Sequence, residues 1–151
     1  MFEHLIETFE LIEKGVLLHD QEDFEIETDC GTYRCLAGWD THLRKTSGEK
    51  VESEVLEKNT QWEECMEHYG LSHSEANLLF DEHSTLEIQK ITLNSLKRGK
   101  RIKDVDFIIS RPHQAVICSK SSEKQFREFF GDSKILIVKQ PQRLTDPDYE
   151  F

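Results

Sequence analysis

Cysteine and histidine are the side chains in this chain with the most chemistry to offer. Cys30 and Cys35 stand five apart, Cys65 lies three before His68, and His73 and His83 follow. Thiolate and imidazole are ligands of closed zinc sites, which announce themselves as two pairs with two to four residues between members. Cys30 and Cys35 sit at the outer limit of that spacing, and Cys65 with His68 is the only similar later pair. Seven histidines in an acidic chain read as solvated side chains. No metal and no cofactor is expected, and Cys35 and Cys65 read as small buried apolar residues. A different chemistry belongs to Lys97, Arg98, Lys100, Arg101 and Lys103, the one cluster able to bind an anion. At a helix C-terminus the same cations would complement the dipole.

Residues 29 to 39 read D-C-G-T-Y-R-C-L-A-G-W and concentrate unusual residues where an acidic stretch gives way to an apolar one. Read structurally, Gly31 and Gly38 permit a tight turn and a close helix approach, Cys35 is buried, and Trp39 fills the core. With Gly70-Leu71-Ser72, Glu75-Ala76 and Leu79-Phe80 downstream, the segment resembles a family of small uncharacterised bacterial and phage proteins. Their shared pattern is C-G-T-x-x-C-x-A-G-W, then G-L-S/T-x-x-E-A-x-x-L-F. The resemblance spans residues 24 to 102 in order and spacing, implies a shared fold, and brings no reaction with it. Residues 103 to 151 fall outside the pattern.

A second, local resemblance is to cysteine peptidases. Asp29-Cys30-Gly31 followed by Cys35-Leu36 is similar to their active-site segment. That resemblance implies Cys30 as nucleophile, opening a helix whose N–H groups and dipole lower the thiol pKa. A histidine must then act as base and a third group orient it. His113 has the best context for the base, with Asp132 or Asp146 as orienter. The departure is the oxyanion donor: the only upstream glutamine, Gln21, lies nine residues before Cys30.

At 151 residues the chain suits one domain of ordinary size and needs no disulfides to hold it. Glu3, Glu7, Glu10 and Glu13 stand where a signal peptide would be basic and then apolar, so the expectation is a reducing cytoplasm with free thiols. No apolar run reaches the roughly eighteen residues of a membrane span. Charge is uneven. Residues 1 to 90 hold 22 Asp and Glu against 7 Lys and Arg, a balance of −15, whereas residues 91 to 151 hold 8 against 12, a balance of +4. Direct DNA binding by the acidic part is not expected, because its field repels phosphate.

The elements that must position these residues follow from spacing. Phe2, Leu5, Ile6, Phe9, Ile12 and Val16 predict an amphipathic helix over 2 to 18. Residues 20 to 28 read as an acidic linker or short extended piece. Residues 30 to 43 read as a turn into a helix with Leu36, Trp39 and Leu43 buried. From Thr60 a helix carries Trp62, Cys65, Met66 and Tyr69 on one face and stops at Gly70. Ser72 and Glu75 form a capping box, and another helix starts at Thr85 and runs to Gly99. The two short helices separated by Gly70-Leu71-Ser72 match a helix-turn-helix in outline, but their acidic surroundings make them a packing unit. After Val105 the pattern changes to strand, strand, helix with Phe126, Phe129 and Phe130 inward, then strand over 134 to 139. The expected fold is α+β: a helical body over 1 to 102, a small β-containing unit over 103 to 139 packed on it, and a tail over 140 to 151.

Three functions suit this pattern. The first is a small acidic cytosolic interaction protein, phage-related, that binds a host, bacterial or defence protein with a basic surface and performs no catalysis. The second is a cysteine hydrolase built on Cys30 and His113. The third is a nucleic-acid-associated regulator using the basic cluster and the Gly-Leu-Ser helices.

Overall fold

The computed structural model describes residues 2–17, 25–28, 31–46, 58–110, 112–131 and 133–139. The chain is α+β, as its periodicities predict, with a mainly helical body and a small three-stranded sheet near the C-terminus. The first helix, α1 (Glu3–Glu13), buries Leu5, Phe9 and Ile12. It ends sooner than the hydrophobic pattern predicts. Gly15 at φ +76° lets its N–H reach the Ile12 carbonyl and the Val16 N–H reach that of Leu11, a left-handed cap that a side chain at that position would strain. Val16, expected on the buried stripe, is consequently 65% exposed.

The next stretch corrects the expectation that residues 30 to 43 are a turn leading into a helix, and the helix opened by Cys30 that the peptidase resemblance implies. An antiparallel hairpin forms instead, β1 (Glu25–Thr28) against β2 (Gly31–Arg34), in the register Thr28↔Gly31 to Glu25↔Arg34. Only then does α2 (Leu36–Thr46) begin. The β-branched and aromatic residues Ile26, Thr28, Thr32 and Tyr33 favour extended backbone, and no helical stripe starts before Leu36. The buried face of α2 also differs from the predicted one. Leu43 is half-buried, whereas Asp40, Thr41 and Arg44 are buried beside Leu36, Ala37 and Trp39.

Helix α3 (Lys58–Tyr69) stops at Gly70, φ +64°, where the Leu71 N–H bonds the Met66 carbonyl. Helix α4 (His73–Phe80) opens with both bonds of the capping box: Ser72 Oγ accepts from the Glu75 N–H at 3.1 Å and Glu75 Oε1 accepts from the Ser72 N–H at 2.8 Å. Helix α5 (Leu86–Lys97) is capped by Thr85, whose hydroxyl accepts from the Ile88 N–H. Six of the eight residues of α4 are buried, and the two that are not, His73 and Asn77, share one face.

The C-terminal unit is β3 (Phe107–Ser110), β4 (Ala115–Ser119), a short 3-10 turn (Lys120–Ser122), α6 (Glu123–Phe130) and β5 (Leu136–Lys139). Strand β4 is central, antiparallel to β3 and parallel to β5. The parallel step needs a crossover, which α6 supplies. Phe107, in T-shaped contact with Phe126 at 5.4 Å, packs on α6, and Phe126 stacks on Phe130. Val116, Cys118, Phe126 and Leu136 belong to the same hydrophobic core as Phe9, Leu36, Leu79 and Ile88. The unit is therefore fused to the helical body through side chains, and Ser95 Oγ on α5 adds a bond to the Phe129 carbonyl at 2.7 Å.

Candidate functional site

The densest polar constellation lies inside the helical body, where α1, α2 and α3 meet. Asp40 is fully buried and sits at its centre. One carboxylate oxygen accepts from the Tyr69 hydroxyl at 2.6 Å and lies 2.8 Å from His4 Nδ1, and the other accepts from Arg44 Nε at 2.8 Å. Arg44, 1% exposed, also forks onto both oxygens of Glu64, with Nη1 at 2.9 Å, and its Cζ lies 5.6 Å from the Tyr69 ring centre. Asp40 and Arg44 are four apart on one helix, and α3 supplies Glu64 and Tyr69. Bidentate geometry of this kind suits a planar guanidinium and no other cation.

Each ionisation here has a physical cause. Burial opposes the charge of Asp40, but hydrogen bonds from His4 and Tyr69 and the charge of Arg44 outweigh it and hold the carboxyl below the usual range. Burial also opposes the charge of Arg44, and the bond to Glu64 with the field of Asp40 raises its pKa despite that. Tyr69 is pushed up by burial and then by the Asp40 charge, so it remains a donor. Cys65, fully buried, is pushed well up by burial and by Asp40; its sulfur lies 3.4 Å from Thr41 Oγ1. A thiol in that state is not a nucleophile. Cys35 is 1% exposed and its sulfur accepts the Gly38 N–H at 3.4 Å. Trp39 is buried, with its ring edge on His42.

A second tie joins the Gly-Leu-Ser turn to the start of the C-terminal unit. Glu75, fully buried, accepts from Arg101 Nε at 2.8 Å and Nη2 at 2.7 Å and from the Ile102 N–H at 3.1 Å. Burial works against the Glu75 charge, and Arg101 together with the Ser72 and Ile102 N–H groups brings its pKa below the ordinary value. Arg101 also donates to the Gly70 carbonyl. Of the five cations expected to bind an anion, Arg101 is thus committed to holding the fold. Lys97 and Arg98 line a groove of about 310 Å³ with Ile91, Asn94, Phe130 and Ser133, and Lys100 and Lys103 are exposed.

The peptidase set is not assembled among the described residues. Cys30, Asp132 and Asp146 lie outside them. The helix that follows starts at Leu36, so its N-terminus is not at Cys30. His113 is exposed on the β3–β4 turn, with Nδ1 2.7 Å from Ser110 Oγ. Gly31 begins β2 and Gly38 is buried in α2. Cys35, Cys65 and Cys118 are free thiols. Among the described residues, no group of three or more His, Cys, Asp or Glu could hold a metal ion. No helix there is long and apolar enough to cross a membrane.

Sequence reasoning missed the Asp40 network. Its signal was the pair Asp40 and Arg44 at helical spacing on the Trp39 side, which charge alone marks as a solvated face. No family model, curated protein or solved structure matches the chain.

Proposed function

We propose that this protein is a small acidic interaction protein, phage-related and cytoplasmic, that binds a host, bacterial or defence protein through charge and shape and performs no reaction of its own. What supports this is how the polar groups divide. Those with the most chemistry, Asp40, Arg44, Tyr69 and Cys65, are buried and bonded to each other. On the outer side of α1 and α3 the carboxylates Glu7, Glu10, Glu63 and Glu67 are exposed, and none has an ion-pair partner among the described residues, whereas the exposed cations Lys97, Arg98, Lys100 and Lys103 lie apart from them, after α5 and at its end. A surface of that sign accelerates encounter with a basic partner and repels nucleic acid.

The test is affinity capture from a bacterial lysate followed by kinetics on the purified partner. Association should slow as added salt shortens the Debye length from about 10 Å to about 3 Å. It should also slow in a Glu7→Gln, Glu10→Gln, Glu63→Gln, Glu67→Gln variant. Unchanged association in both would remove the electrostatic claim. If Cys30→Ser kept folding and partner binding but abolished a biological effect, the cysteine hydrolase would take its place.

A further inference from the structure

We infer that the free edge of β3 is a docking site for an extended, basic peptide segment of the partner, which adds to the sheet as a fourth strand. This deepens the reading above and rests on it. Among the described residues, strand β3 is a terminal strand of the sheet, paired only with β4. In an edge strand every second residue directs its N–H and C=O away from the ladder, a template for another chain. Among the described residues, no hydrogen bond from outside the β3–β4 ladder reaches the backbone of Phe107, Ile108 or Ile109.

The edge is short, at four residues, but the strand itself, Phe-Ile-Ile-Ser, carries no charged or proline residue to block pairing. Phe107 and Ile109 pack on the core, while Ile108, on the opposite face, continues a row with Ile117 and Ile137. An incoming strand would extend apolar rows on both faces. Beside it runs a groove of about 220 Å³, formed by Phe107, Ile108 and Ile109 on one side and Asn77, Asp81 and His83 at the end of α4 on the other. That is below the range of about 300 to 1,000 Å³ typical of small-molecule sites, and it suits a peptide side chain.

Charge selects the occupant. Asp81 lines the groove, and Glu82 and Asp106, next in sequence to lining residues, are exposed. A second copy of this chain pairing edge to edge would bring the same acids face to face. A segment alternating β-branched with lysine or arginine residues would complement both the apolar rows and the acidic rim.

The probe is a capped eight-residue peptide alternating valine and lysine, titrated into the full-length isotope-labelled protein. Amide shifts and hydrogen exchange are read at Phe107, Ile108 and Ile109. Slower exchange there by about tenfold or more is expected, with at least a tenfold loss of affinity when alternate peptide amides are N-methylated. A glutamate-for-lysine peptide should not bind, and Asp81→Asn, Glu82→Gln, Asp106→Asn, checked for folding by its thermal melt, should weaken the lysine peptide about tenfold. Full binding by the N-methylated peptide, shifts that map elsewhere, no binding at about 1 mM, or sedimentation showing edge-paired dimers would each overturn the proposal. If salt-sensitive capture of the protein partner survives in the triple variant while the peptide result fails, the docking edge is wrong and the interaction reading stands. If both fail, both are wrong.

Discussion

Replacing Arg44 by methionine tests the reading that the interior of the helical body is held by a balanced buried charge set. Methionine keeps most of the stem and removes three charged donors. Glu64, 19% exposed, can turn toward water, so its lost ion pair matters little. Asp40 has no such route: it is fully buried and keeps Tyr69, His4 and, at 3.7 Å, the weak Cys65 thiol donor. Stripping the cation from a buried carboxylate costs about 3 to 5 kcal/mol, about 10 °C of melting temperature for a chain of this size. The sign with pH follows from Asp40. In the native protein its pKa is lowered, so its contribution is complete above about pH 4 and is lost as pH falls further. Without Arg44, burial, the strongest influence on this carboxyl, is opposed by less, and its folded pKa rises. Above that raised value the charged carboxylate destabilises the fold, and protonation relieves it. The gap between variant and native protein should therefore narrow as pH drops from neutral to about 4. Urea unfolding followed by tryptophan fluorescence at both ends of that range measures the gap. Adding Asp40→Asn to the variant should restore part of the loss, because no unpaired charge remains. A loss below about 1 kcal/mol, or one indifferent to pH, would refute the buried charge balance.

Three more outcomes are expected. Trp39→Ala should cost about 3 to 5 kcal/mol in the same assay, since Trp39 is only 8% exposed; a loss under about 1 kcal/mol would make it a surface residue. Gln89→Met should raise stability by about 1 kcal/mol, because the Gln89 amide is fully buried and neither its oxygen nor its nitrogen has a hydrogen-bond partner among the described residues. A fall in the urea midpoint would show that the amide is satisfied after all. Alkylation of the native protein near neutral pH, mapped by mass, should leave Cys35, Cys65 and Cys118 unmodified. All three are buried, and burial, with Glu123 adding to it, pushes the Cys118 thiol up to about 11. Rapid labelling of any of them would contradict that burial, and rapid labelling of Cys30 alone would favour the hydrolase.

Short-range rules carried much of the fold. The capping box of Ser72 and Glu75, the Thr85 cap and the stop at Gly70 each depend on chain neighbours within a turn of helix, so they were legible in the sequence. The change from a period of 3.6 to β-branched runs after Val105 likewise marked β3 and β4. The sequence alone thus determined the α+β class and placed Trp39, Cys35 and Cys65 inside. Tertiary structure decided the rest, because a charge in the sequence carries no sign of whether its partner will arrive from a distant helix. Arg44 reads as surface until Glu64, twenty residues on, closes its fork, and Glu75 reads as a cap alone until Arg101 turns it into a buried anchor. The same holds for the hairpin before α2 and the open edge of β3, since strand pairing is a contact between segments and no single segment encodes it.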